Sequence, residues 1–212
     1  MTPGSELPTA LAVYRKPWEQ TLRMPKYVAF LRAINVGGHL VKMDHLRSLF
    51  EALAFTNVET FIASGNVIFD SRSVNTEALQ KKIEKHLLKS LGYEVATFVR
   101  SMPDVERVVN AKPFSATELN GSTLYVGFLA QSPSEESRRE LIKCRNKSNN
   151  FAINDREFFW LCRVKFSETD FSGARLEKIL KMKTTLRNVN TPQRIAAKYG
   201  KPHKSGLEGK TS

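Results

Sequence analysis

The sequence predicts an α+β fold of two βαββαβ units in tandem, each an antiparallel sheet with helices on one face. Two observations carry this reading. Apolar runs of strand length alternate with apolar stripes at helical spacing, and the order of elements repeats once after residue 118. A length of 212 residues suits one large domain or two small ones of about 100 residues each.

Residues 1–23 mix Pro, Gly, Ser and charge without periodicity and are expected to form a flexible extension. Patterning starts at Met24, an alternative start site. In the first unit, 24–117, "KYVAFLRAI" (26–34) predicts a strand, and Met43, Leu46, Leu49, Phe50 and Leu53 a helix. "VETFIA" and "NVIFDS" flank Ser64-Gly65 as a hairpin. Asn75 caps a helix with Ala78, Leu79, Ile83, Leu87 and Leu88 on one face, and "YEVATFVR" (93–100) is the closing strand. Ser101-x-x-Asp104 is a capping box for a short helix that Lys112-Pro113 ends.

"ELNGS" (118–122) marks the boundary to the second unit, 118–200. There "TLYVGFLA" (123–130) is a strand, and Ser132-Pro133-Ser134-Glu135 opens a helix capped by Ser132. "FAIND" and "EFFWLC" form the second hairpin. Ser172 caps a helix bearing Leu176, Ile179 and Leu180, and Thr191-Pro192 starts the last helix. Residues 201–212 are expected to be a flexible tail.

Hydrophobic residues make up 41% and charged residues 25%, a balance that supports a packed core and excludes a disordered chain. No apolar run approaches the ~20 residues of a membrane-spanning helix. The N-terminus lacks a basic start followed by an apolar segment. With Cys144 and Cys162 the only cysteines, outside any CxxC spacing, these features predict a cytoplasmic protein without a disulfide framework. The net charge of +12 is lopsided: residues 1–137 carry fifteen Lys/Arg against fourteen Asp/Glu, and residues 138–204 seventeen against six. A basic half points to an anionic partner, nucleic acid or a phosphorylated small molecule; the alternative is a solvated surface that aids solubility.

Three stretches, "YVAFLRAINVGG" (27–38), "FTNVETFIASGNVIF" (55–69) and "TTLRNVNTPQRIA" (184–196), resemble the bacterial domain-of-unknown-function family 1697. The resemblance spans about 24–199 and implies two ferredoxin-like α-β plaits; it implies no reaction. Ala33 and Val189 stand where the family's pattern has a glycine and an aromatic.

In "INVGGH" (34–39), Gly37-Gly38 either form an anion-binding nest of backbone N–H groups, with Arg32 and Asn35 adding donors, or make a tight turn. "TTLRNVNT" (184–191) precedes a helix N-terminus, where Lys183, Arg187, Asn188, Asn190 and Thr191 are candidate anion ligands. The other reading makes this stretch a clasp, with its polar groups spent on backbone caps and Arg187 on the first unit. Tyr125 on one strand and Phe158 and Trp160 on another occupy the places of stacking aromatics in RNA-recognition motifs, facing outward while Phe159 and Leu161 fill the core. Alternatively these aromatics pack against a helix or the other unit. His39, His45, His86 and His203 have no metal-ligand spacing, and nucleophile elbows, nucleotide fingerprints and paired carboxylates are missing, so no metal, cofactor or reaction is assigned.

Three functions follow from these features. The leading one is nucleic-acid or phosphate-group binding through the basic second unit. The others are an enzyme acting on a small phosphorylated or nucleotide-like substrate between the units, and a protein–protein interaction module.

Overall fold

The computed structural model describes residues 24–35, 38, 40–62 and 65–200. The expectations for 1–23 and 201–212, and for Gly37 and Ser64, lie outside these residues. The first half runs β1 (Lys26–Leu31), α1 (Met43–Glu51), β2 (Thr56–Thr60), β3 (Asn66–Asp70), α2 (Thr76–Leu91), β4 (Thr97–Ser101) and α3 (Met102–Asn110). After a short α4 (Ala116–Leu119) the order recurs as β5 (Thr123–Leu129), α5 (Glu135–Lys143), β6 (Asn149–Asn154), β7 (Glu157–Cys162), α6 (Gly173–Leu180), β8 (Thr184–Asn188) and α7 (Asn190–Tyr199). Each half folds into a four-stranded antiparallel sheet, β2-β3-β1-β4 and β6-β7-β5-β8, the two tandem βαββαβ units of the sequence reading.

Strand alternation decides what each face buries. On β1, Tyr27, Ala29 and Leu31 pack under α1 and α2 with Leu46, Phe50, Leu79 and Ile83. Val28 and Phe30 point the other way, into a layer shared with Val126, Phe128, Phe159 and Leu161 of the second sheet. On that sheet Phe158 and Trp160 face α5 and α6, among Leu141, Leu176 and Leu180. The fold therefore stacks helices, sheet, sheet and helices, and each sheet is covered on both faces. A strand buried on both sides needs apolar residues at every position, which is why "EFFWLC" shows no alternation. Gly127 on β5 is required here: a Cβ would sit 2.1 Å from the Phe158 ring that covers it.

After β4 and β8 the chain turns into α3 and α7, which pack together and close the inter-sheet layer with Met102, Val105, Val108 and Ile195. The Ser101/Asp104 capping box and the Asn75 and Ser172 caps form as expected. Two starts differ. Ser134, not Ser132, caps α5 by accepting from the Ser137 N–H, because Pro133 precedes the helix and does not open it. Helix α7 begins at Asn190, ahead of Thr191, because Asn188 Oδ1 takes up the Asn190 N–H; Pro192 still lies in the first turn, where no donor is needed.

Candidate functional site

The two halves are related by matching contacts at their seam. Phe30 of β1 and Phe128 of β5 stack across it, ring centroids 4.0 Å apart and 9° from parallel. The last strand of each sheet then sends a buried arginine to the other half. Arg100 of β4 donates to Glu157 Oε1 at 2.5 Å, to the Leu129 carbonyl at 2.7 Å and to the Arg156 carbonyl at 3.1 Å. Arg187 of β8 makes the corresponding contacts, to Asn66 Oδ1 at 2.7 Å, the Leu31 carbonyl at 2.9 Å and the Gly65 carbonyl at 3.3 Å. Its remaining nitrogen donates to Thr185 Oγ1 and the Leu186 carbonyl. Asn66 and Glu157 are each the first residue of the third strand of their unit, so the correspondence is exact in position and differs in charge.

That difference has a local cause. The Asn66 amide nitrogen donates to the Phe61 carbonyl, holding the β2–β3 connection, which a carboxylate cannot do. Burial pushes the Arg187 pKa down to about 10. Burial also lowers that of Arg100, against the opposing pull of the Glu157 carboxylate.

Through Arg187 the three stretches that carry the family resemblance meet at one point: Leu31 from the first, Gly65 and Asn66 from the second, Arg187 from the third. The connections around this point are longer than their counterparts, 32–42 against 130–134 and 61–65 against 155–156. Gly65 has φ 73° and its α-carbon lies against Ile34 and Leu31, where a Cβ would come within 2.9 Å of Ile34 Cγ2.

The other candidate anion ligands divide between two places. Arg32 and Lys183 lie near the clasp, each with a carboxylate from the opposite half. Arg32 forms a fork on Glu177 at 2.5 and 2.9 Å, and Lys183 meets Glu94 at 2.8 Å. Asn35 Oδ1 accepts the Val41 N–H, a turn role, and Gly38 is exposed with φ 86°. Asn188, Asn190 and Thr191 lie at the far end of β8, where Asn188 pairs with Tyr125. The eight described candidates are thus not gathered in one place, and the named N–H groups of Arg187 are engaged by protein acceptors. The outward orientation expected for Phe158 and Trp160 is corrected: both are 0% exposed, because the helices cover this face and the other sheet covers the opposite one. The Trp160 indole donates to Asn149 Oδ1. Tyr125 remains half-buried.

Two groups were missed from sequence. Phe166, 51% exposed, packs its ring on Tyr125 and Trp160 at 5.6 and 5.7 Å. Around the same end of the sheet, Arg145, Lys147, Arg163 and Lys165 are all exposed. The available signal was the spacing Arg163-x-Lys165-Phe166. The second group, Lys81, Glu84 and Lys85, joins the candidate Lys183 in lining a cleft between α2 and the α6–β8 connection; on α2 it is a charged i, i+3, i+4 stripe that reads as an ordinary solvated face.

This architecture defines a tandem α-β plait protein with its sheets packed face to face. The chain belongs to the family described as "Protein of unknown function (DUF1697)", which matches residues 24–159. A conserved bacterial protein of solved structure, SP0830 from Streptococcus pneumoniae, is similar over 84% of this chain and 99% of its own, with a TM-score of 0.65 and 22% identity. That similarity concerns the fold. No curated protein matches. Among the described residues no helix is long and apolar enough to cross a membrane.

Proposed function

We propose that the protein binds single-stranded nucleic acid at the open end of the second sheet, with Phe166 as the stacking platform and Tyr125 supporting it. The observation that carries this reading is an exposed aromatic ring, Phe166, on a connection that also exposes Arg163 and Lys165 and is bonded through the Arg163 N–H and the Ser148 carbonyl to the connection that exposes Arg145 and Lys147. Base stacking needs an accessible π-face, and backbone phosphates need nearby positive charge; this end offers both. Glu118, Glu168 and Asp170 are neighbouring acids: Glu168 meets Lys165 at 3.7 Å, Glu118 bonds Asn150, and Asp170, which lines a pocket with Lys147 and Glu168, meets Arg175 at 2.6 Å. The sheet-face platform of RNA-recognition motifs plays no part, since both faces are covered.

Fluorescence anisotropy with a labelled single-stranded oligonucleotide tests the reading. Affinity is expected to fall steeply with salt, and Lys147→Ala and Arg163→Ala to reduce the salt slope by about one each. Phe166→Ala is expected to cost about 1–3 kcal/mol of binding while thermal stability is kept. Salt-insensitive binding, or full affinity in Phe166→Ala, would sink the proposal.

A further inference from the structure

Away from that end, a cavity among the described residues draws on both halves of the molecule. Its wall is a single stripe of α2, Lys81, Glu84, Lys85 and Leu88, and its floor is the lead-in to β4, Glu94, Val95 and Ala96. Lys183, from the α6–β8 connection, closes it. Its volume of about 450 Å³ falls within the range of small-ligand sites. The floor is fixed to the seam, because the Ala96 carbonyl accepts the Arg32 N–H at 2.8 Å.

The charges in this cleft are ordered. Glu84 is half-buried, and its Oε1 accepts the Thr97 N–H at 2.8 Å, which pins the carboxylate and leaves Oε2 as a second acceptor. Burial raises its pKa, with the nearby Glu94 adding slightly, while the Thr97 hydrogen bond and Lys183 act in the opposite sense. Three lysines, Lys81, Lys85 and Lys183, line the same cleft. Lys183 meets Glu94 at 2.8 Å and Lys81 meets Glu77 at 2.6 Å, both exposed pairs that an incoming dianion can outcompete. Lys85 has no hydrogen bond or ion pair to another described residue. Leu88, 45% exposed, gives an apolar side for a carbon skeleton.

We infer that this cleft binds a small hydroxylated phosphomonoester, the phosphate among Lys81, Lys85 and Lys183 and a hydroxyl donating to Glu84. The lysines supply point charges suited to a phosphate dianion, and the pinned carboxylate selects a ligand that brings a donor. Because the cleft spans the seam, its occupant contacts both halves at once. The site is independent of the Phe166 end.

Isothermal titration calorimetry with glycerol 3-phosphate and methyl phosphate tests it on the full chain. The expected result is saturable binding that favours glycerol 3-phosphate, the probe with hydroxyl donors. Lys85→Met, which removes no hydrogen bond or ion pair to another described residue, is expected to weaken both probes about tenfold or more, the scale of one charged hydrogen bond. Glu84→Gln keeps an acceptor for Thr97 and is expected to narrow the preference between the probes. Absence of saturable binding, or binding unchanged by Lys85→Met, overturns the inference. Binding lost through Arg163→Ala and retained in Lys85→Met also overturns it, by placing the anion at the nucleic-acid end. Loss in Lys85→Met with oligonucleotide affinity intact supports it.

Discussion

Arg187→Ala is expected to lower the unfolding free energy by about 3–5 kcal/mol, because it orphans three buried acceptors of the other half together. Those acceptors are the Leu31 and Gly65 carbonyls and Asn66 Oδ1. For a chain of this size the loss corresponds to a fall in melting temperature of about 10 °C. Arg187→Lys is expected to retain only part of the stability, since one ammonium on a flexible stem cannot reach acceptors spread over a planar fork. Chemical denaturation of the ligand-free protein gives the answer. An unchanged midpoint with selective loss of anion binding would restore the ligand reading of "TTLRNVNT" and remove the clasp.

That stretch shows where sequence patterning loses its hold. Its position before a helix N-terminus and its wealth of donors are equally suited to a bound anion and to a seam. The choice depends on Leu31 and Asn66, more than a hundred residues earlier in the chain. No local pattern reports such a contact. The element order, in contrast, was legible, because caps such as Asn75 and Ser101 and the stripe Leu79, Ile83, Leu87 are local signals.

The facing of β7 was not legible, and for a physical reason. When a sheet is covered on both sides, period-two alternation carries no sign, so "EFFWLC" fits either orientation. Phe159 and Leu161 do enter a core, the inter-sheet layer, as expected; Phe158 and Trp160 enter another. Gly127 held the missing clue, since the face of β5 with no side chain at that position is the one that admits the Phe158 ring. Phe166 was overlooked because loop aromatics have no periodicity by which exposure can be read. The cleft at Lys183 was half legible: Lys183 was among the candidates, while Lys81, Glu84 and Lys85 looked like the solvent face of α2.

The matching seam contact gives the second large effect. Glu157→Ala leaves the Arg100 guanidinium, 1% exposed, without its carboxylate, and is expected to cost about 3–5 kcal/mol, the usual scale for breaking a buried pair from one side. Glu157→Gln is expected to cost about 1–3 kcal/mol, because a neutral oxygen still accepts from Nε, the arrangement Arg187 already has with Asn66. The double variant Arg100→Met/Glu157→Ala separates charge from clasping. If the uncompensated charge dominates, the double variant is more stable than Glu157→Ala alone. It does not return to the parent, because Arg100 also holds the Leu129 and Arg156 carbonyls, which methionine leaves without a donor. Equilibrium urea unfolding of the parent, Arg100→Met, Glu157→Ala and the double variant completes the cycle. Equal stability of Glu157→Ala and Glu157→Gln would show that the acceptor oxygen contributes nothing. That side of the seam would then rest on the Arg100 bonds to the Leu129 and Arg156 carbonyls and on the packing of Phe30, Phe128 and their apolar neighbours.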